Sequence, residues 1–164
     1  MTEGRDVAVA FSGGLDSGVV AVLAGRYARS VRLYTVGAEG SYDVEASRAM
    51  SAALGMEWEH IVMDEDSLMK GLRDSIRITG TTDPVTLSFE VPLMYILPRM
   101  REGFVIGGQG ADETLWGYSK YLDLPEEELR AQAARDMRTL REVTQVHESR
   151  MAAFYGKTVL YPFL

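Results

Sequence analysis

The sequence predicts an α/β protein: a mainly parallel sheet with helices on both faces, followed by a small helical extension. Three observations carry this. Short apolar runs rich in β-formers alternate with longer stretches of helical period, the pattern of successive βα units. Two of the strand candidates run directly into glycine-bearing loops with carboxylates, the position where such sheets keep their ligands. After residue 118 the apolar runs give way to a charged helical stretch.

Taken in order, the strands fall at residues 6–11 (DVAVAF), 31–36 (VRLYTV), 57–63 (EWEHIVM) and 103–107 (GFVIG). The first helix is expected from about Ser17 to Tyr27, and the second from an N-cap at Asp43 to just before Gly55. A third follows Asp66, with Leu68, Leu72 and Ile76 on one stripe, and ends at "TGTTDP". A fourth follows Ser88; with Pro92 and Pro98 in or near it, a kinked or interrupted element is expected. Asp123 and Glu126 then have the spacing of a capping box ahead of "PEEELRAQAARDMRTLRE", and the sheet is expected to be complete by that point. With no repeat and no linker, residues 1–164 read as one domain, a core over about 6–118 and a helical extension over about 119–164.

Composition excludes several classes. The formal charge of -7, from 24 acidic and 17 basic residues, argues against a general phosphate-backbone binder. Without cysteine there is no disulfide, thiolate metal site or cysteine nucleophile. The opening "MTEGRD" is not a signal peptide, and no apolar run has the ~20 residues of a membrane helix, so a cytoplasmic location is expected.

The loop "FSGGLDS" (residues 11–17) joins a strand to a helix whose first N–H groups are unpaired and carry partial positive charge. Gly13 and Gly14 keep side chains away from an incoming oxyanion, while Ser12 and Ser17 add hydroxyls. Neither of the two familiar phosphate-loop spacings is present. Asp16 stands where a lysine would be expected, and it suits a polyanion only with a divalent cation between them. The plainer reading makes Asp16 a helix cap behind a tight turn. A second loop, "GGQGADETLWGY" (107–118), again combines glycines with carboxylates, Asp112 and Glu113. Parallel strands would bring both loops to one edge of the sheet, and the pair favours a site over two unrelated turns.

These two stretches resemble the asparagine-synthetase branch of the ATP pyrophosphatase (PP-loop) superfamily. "SGGLDS" is similar to its pyrophosphate loop, and "GQGADETLWGY" to the motif G-[ED]-G-[SA]-D-E-x-x-x-G-Y. "LYTVG" (33–37) and "YPFL" (161–164) add weaker matches. The resemblance implies the adenine-nucleotide alpha-hydrolase-like (HUP) sheet and a ligase chemistry. A carboxylate attacks the α-phosphorus of ATP, pyrophosphate leaves, and an amine opens the acyl-adenylate. It implies that Ser12, Gly13, Gly14 and Ser17 hold the pyrophosphate, that Asp16 and Asp112 bind Mg²⁺, and that Phe11, Val36 and Gly37 line the nucleoside. Gly107 and Gly108 would flank the α-phosphate and acyl group. Glu113 is expected to brace its loop rather than reach the metal. The implied partners are ATP, Mg²⁺, a small carboxylate such as aspartate or a related acid, and ammonia or another amine.

Departures from the family pattern matter too. Gln109 replaces the usual glutamate and, as a neutral amide, cannot act as a base. The base is then another group, Glu90 being one candidate, or ammonia is not the acceptor. An exposed helical carboxylate is the plainer expectation for Glu90. Thr158 and Leu160 stand where glutamate and arginine are common. The chain carries no glutamine-hydrolysing region and stops one residue short of the usual aspartate, which suggests a shortened chain or a reduced member, served by free ammonia or a separate amidotransferase. His60 and His147 read as isolated, Trp116, Tyr118 and Tyr121 as loop anchors, and the methionines as core, with an interface role for Met50, Met94 and Met100, and a homo-oligomer, left open. A nucleotide-binding module that cannot react alone, and PP-loop chemistry on RNA, are the alternatives. The acidic charge argues against the latter.

Overall fold

The computed structural model describes residues 2–164. Five parallel strands form the sheet: β1 (Asp6–Ala10), β2 (Ser30–Gly37), β3 (Glu57–Val62), β4 (Phe104–Ile106) and β5 (Thr158–Leu160), in the order β3-β2-β1-β4-β5. The chain winds outward from β1 through β2 to β3, then returns to the other side of β1 for β4. The C-terminal ends of β1 and β4 therefore flank the switch point of the sheet, where a crevice opens. Val9 pairs with Ile106, so the segments leaving β1 and β4 emerge side by side.

Alternation along β1 divides the core. Val7 and Val9 join Leu33 and Ile106 beneath Val20, Ala21 and Ala24 of α1 (Leu15–Tyr27), with Met50 and Leu54 of α2 (Tyr42–Leu54) packed alongside. Ala8, Tyr34 and Val105 face the other way, onto α4 (Pro84–Ile96) and onto Met151 and Ala152 of α7 (Gln145–Phe154). Helices thus cover both faces, as the sequence predicts. Met94 and Met100 are core residues, which answers the open question of an interface role for those two.

Several boundaries move for local chemical reasons. Helix α1 begins at Leu15, two residues ahead of Ser17. The cap of α2 is Ser41, and Asp43 instead sits in the first turn, where its charge suits the helix dipole. In α3 (Glu65–Thr79) the cap is Asp64, which accepts from the Ser67 N–H at 2.8 Å while Ser67 Oγ accepts from the Asp64 N–H at 3.1 Å. Helix α4 starts a full turn before Ser88, capped by Asp83, and runs through Pro92 without interruption. Pro92 lies on the exposed side, as does Ser88, whose carbonyl loses its helical donor there and can be hydrated. Pro98 falls beyond the helix end.

The last quarter of the chain departs most from expectation. After the short α5 (Ala111–Leu115) and a 3₁₀ turn at Ser119–Tyr121, α6 (Glu126–Thr139) begins behind Pro125, and Asp123 makes no capping box. A π-helical turn, Leu140–Thr144, joins α6 to α7. The sheet is not complete at residue 118: β5 pairs Thr158, Val159 and Leu160 with Phe104, Val105 and Ile106. No helix among the described residues is long and apolar enough to cross a membrane.

Candidate active site

Gly14 is the N-cap of α1 and makes no side-chain capping bond. The first intrahelical bond runs from the Gly18 N–H to the Gly14 carbonyl at 3.0 Å, so the N–H groups of Leu15, Asp16 and Ser17 have no intrahelical acceptor and are available to an anion. The loop is held by the two serines. Ser17 Oγ donates to the Gly14 carbonyl at 3.2 Å and accepts from the Ser12 N–H at 3.3 Å, and the two hydroxyls lie 3.2 Å apart. Gly13 has φ +72°, and a methyl group there would lie 2.5 Å from the Ser47 nitrogen and 2.7 Å from the Ala46 carbonyl carbon. Glycine lets this turn rest directly on the backbone of α2.

The second loop closes against the first. A methyl group on Gly108 would lie 3.1 Å from Asp16 Cβ and 3.3 Å from the Ser17 nitrogen. Asp112, near the start of α5, has its pKa raised by burial and, to a lesser degree, by the charge of Asp16, which lies in the same neighbourhood. Neither is neutralised by a salt bridge among the described residues, which hold no group of three or more histidines, aspartates or glutamates placed to bind a metal ion. Gly117 is fixed by the same carboxylate: a Cβ there would fall 2.2 Å from Asp112 Oδ1. Glu113 turns inward and accepts from Tyr118 Oη at 2.8 Å, and thus braces the loop. Tyr121 donates to Asp136 at 2.6 Å, so both tyrosines anchor. Trp116 does not: it is 44% exposed at φ +59°, with Arg130 over its ring.

The nucleoside candidates sit along the neighbouring strand ends. Phe11 is buried; its N–H bonds to the Tyr34 carbonyl at 2.8 Å and its carbonyl accepts from Thr35 Oγ1 at 2.7 Å, so it supports the loop from beneath. Val36 is half-buried, and Gly37 ends β2 with its carbonyl accepting from the Met63 N–H and lying 3.0 Å from His60 Nε2. Beside Gly37, Ser41 Oγ is buried without a hydrogen-bond partner, a polar group at the same edge that the sequence reading passed over.

Behind Gly107–Gln109 lies a polar cluster that sequence reasoning misjudged. Glu90 is fully buried rather than exposed, and His147 is not isolated: its Nδ1 lies 2.5 Å from Glu90 Oε1. Glu90 Oε2 has no partner. Next to them, Glu148 is 5% exposed, and burial pushes its carboxyl up to about 7. Tyr161 and Gln109, both beside it, oppose that rise, while the Glu90 charge adds to it. Tyr161 Oη is itself buried next to that carboxyl but outside the geometry of a full hydrogen bond. Gln109, Glu148 and Tyr161 line one cavity of about 190 Å³ with Gly107 and Gly108 in its wall.

A parallel α/β sheet with a glycine turn at its switch point, faced by a second glycine loop bearing a carboxylate, is the architecture of the PP-loop class of α/β proteins. The profile of the family described as Asparagine synthase matches residues 1–162, and the chain belongs to that family. A Methanocaldococcus jannaschii protein named as an asparagine synthetase (glutamine-hydrolyzing) is 27% identical over 166 residues, covering 96% of this chain and 30% of that protein. The asparagine synthetase (glutamine-hydrolyzing) of Triphysaria versicolor is 26% identical over 170 residues, covering 95% and 29%. The chain thus spans about 30% of the length of the curated relatives it matches. In fold it is similar to a M. jannaschii crystal structure described as a predicted subunit of tRNA methyltransferase, with a TM-score of 0.56 and 17% identity over 98% of this chain and 68% of that one.

Proposed function

We propose that this chain carries an AMP-forming carboxylate-activating site, in which ATP loses pyrophosphate to give an acyl-adenylate that an amine then opens to an amide. The observation that carries the reading is the contact of the two glycine loops, which leaves Asp16 and Asp112 in one neighbourhood at the switch point with no salt-bridge partner for either among the described residues. Ser12, Gly13, Gly14, Ser17 and the first N–H groups of α1 would hold the pyrophosphate by dipoles that are already in place as charge develops. Phe11, Val36 and Gly37 would border the nucleoside, Gly107 and Gly108 the α-phosphate.

Two neighbouring carboxylates with no salt-bridge partner suit a hard divalent cation whose remaining ligands are phosphate oxygens and water, so Asp16 and Asp112 would hold Mg²⁺. Bound there, Mg²⁺ would neutralise charge building on the leaving pyrophosphate. Gln109 cannot take a proton from the amine, but Glu148 beside it can, with a carboxyl poised near neutrality. Glu90, named from sequence as a stand-in base, is engaged with His147 inside the core, and its charge adds to the rise of the Glu148 carboxyl.

Pyrophosphate–ATP isotope exchange across a panel of amino acids and related carboxylates, with Mg²⁺, tests the proposal. Exchange dependent on one acid and lost in Asp16→Ala is the expected result. ATP binding with no exchange for any acid would leave a nucleotide-binding module instead, and exchange that survives Asp16→Ala would remove the metal assignment.

A further inference from the structure

The cavity behind the second loop has a chemistry of its own. At about 190 Å³ it is smaller than the roughly 300–1,000 Å³ pockets that take drug-sized ligands, so its occupant has only a few heavy atoms. One side is apolar, built from Ala10, Phe89, Leu93, Val105 and Val159. The polar side is Gln109, Glu148 and Tyr161, and none of the described lining residues is Lys or Arg. An amino-acid carboxylate placed there would meet the Glu148 carboxylate and no cation. Behind Glu148, the fully buried Glu90 and its partner His147 add no net positive charge when both are ionised. Bare ammonia would leave the apolar wall unused.

From this lining we infer that the cavity is the binding site for the nucleophile, and that the nucleophile is a small primary alkylamine whose ammonium group meets Glu148 and whose carbon chain lies against Leu93, Val105 and Val159. The inference rests on the amide-forming reading above. Gly107 and Gly108 are shared between the cavity wall and the loop that faces Asp16, so the amine nitrogen would sit beside the expected acyl carbon. Glu148 takes one proton from the ammonium, and the freed lone pair attacks the acyl carbon. As the C–N bond forms and the C–O bond to the adenylate breaks, its electron pair leaves on AMP. The second nitrogen proton passes to the departing phosphate, and Glu148 releases its own to solvent.

The test needs neither ATP nor turnover. The whole chain is titrated with ammonium, methyl-, propyl- and butylammonium chlorides and with L-aspartate, followed by NMR chemical shifts. Affinity is expected to rise by about fourfold per added methylene up to butyl, the selectivity that burial of a CH₂ provides. Glu148→Gln should weaken butylammonium at least tenfold. Val159→Phe should fill the space and abolish binding, giving a second reading should Glu148→Gln fail to fold. Equal binding of ammonium and butylammonium, preference for aspartate, or a folded Glu148→Gln with unchanged affinity overturns the inference. Exchange measured on the same preparations separates the two proposals. Exchange without alkylammonium binding leaves adenylation standing and removes the amine site; alkylammonium binding without exchange keeps the amine site and removes adenylation.

Discussion

Gly13 and Gly14 are adjacent, yet their backbone and surroundings differ, and alanine at each should separate a packing role from the proposed binding role. At Gly13 the backbone is left-handed (φ +72°), which costs a non-glycine residue roughly 1–2 kcal/mol. The added methyl would also meet the Ser47 nitrogen at 2.5 Å and the Ala46 carbonyl carbon at 2.7 Å. Both atoms are helix backbone and cannot yield by changing rotamer, so an overpacking cost of about 1–3 kcal/mol adds to the first. Gly13→Ala should therefore destabilise by about 2–5 kcal/mol. At a urea m-value of about 2 kcal/mol/M, the midpoint falls by roughly 1–2.5 M. Gly14, at φ -80° and ψ 171°, lies in extended backbone, and its nearest contact for a new methyl is Ser12 Oγ at 3.4 Å. Gly14→Ala should change stability by no more than about 1 kcal/mol, because relief of unfolded-state entropy and the weaker alanine cap nearly cancel. On the proposed reading its methyl would crowd the pyrophosphate, so ATP affinity by calorimetry should fall at least tenfold. Equal urea midpoints for the two variants, or full ATP affinity in Gly14→Ala, would refute this division of labour.

Three more expectations follow from buried charge. Asp112→Asn removes the like charge near Asp16; acid and urea stability should hold or improve while Mg²⁺-dependent exchange drops by about 10²-fold or more, the scale seen when a group stabilising transition-state charge is lost. Glu148 has its folded pKa raised from 4.5 to about 7, so the folded state holds the proton more tightly than the unfolded chain. Stability is greatest below the unfolded value and falls by about 3 kcal/mol as pH rises through that window; urea midpoints against pH should slope downward in the native chain and flatten in Glu148→Gln. His147→Leu strands Glu90 without its partner and should cost about 3–5 kcal/mol, whereas Glu90→Met combined with His147→Leu should recover most of that loss. Thermal melts of the single and double variants decide between them.

How much of this was legible in sequence depended on range. Strands β1, β2 and β4 carry short apolar runs, and the loops after β1 and β4 announce themselves through glycine and aspartate, so much of the sheet and the neighbouring of the two loops follow from local pattern. β5 has three residues and owes its place to pairing with β4, which no local pattern records. The start of α2 slipped because Ser41 and Asp43 are both good caps, and only the turn geometry decides which one caps.

Glu90 and Glu148 were hidden for a further reason. Glu90 sits in "LSFEVPLMYI", a stretch apolar on nearly every side, and a lone acid in such a helix is a signal that it points inward and needs a partner. That partner, His147, lies 57 residues downstream and reads as solitary until α7 folds over α4. Glu148 follows it by one position on the same helix. Gln109 therefore reads from sequence as a lost base, whereas in the fold a carboxyl from α7 comes to rest beside that amide. On the proposed reading the proton acceptor would be this helix carboxyl rather than a loop residue, and the cavity it lines has an acid at one end and a hydrocarbon wall at the other. A loop glutamate could serve ammonia with no wall at all. An acid at the end of an apolar slot is better matched to a nucleophile that carries carbon.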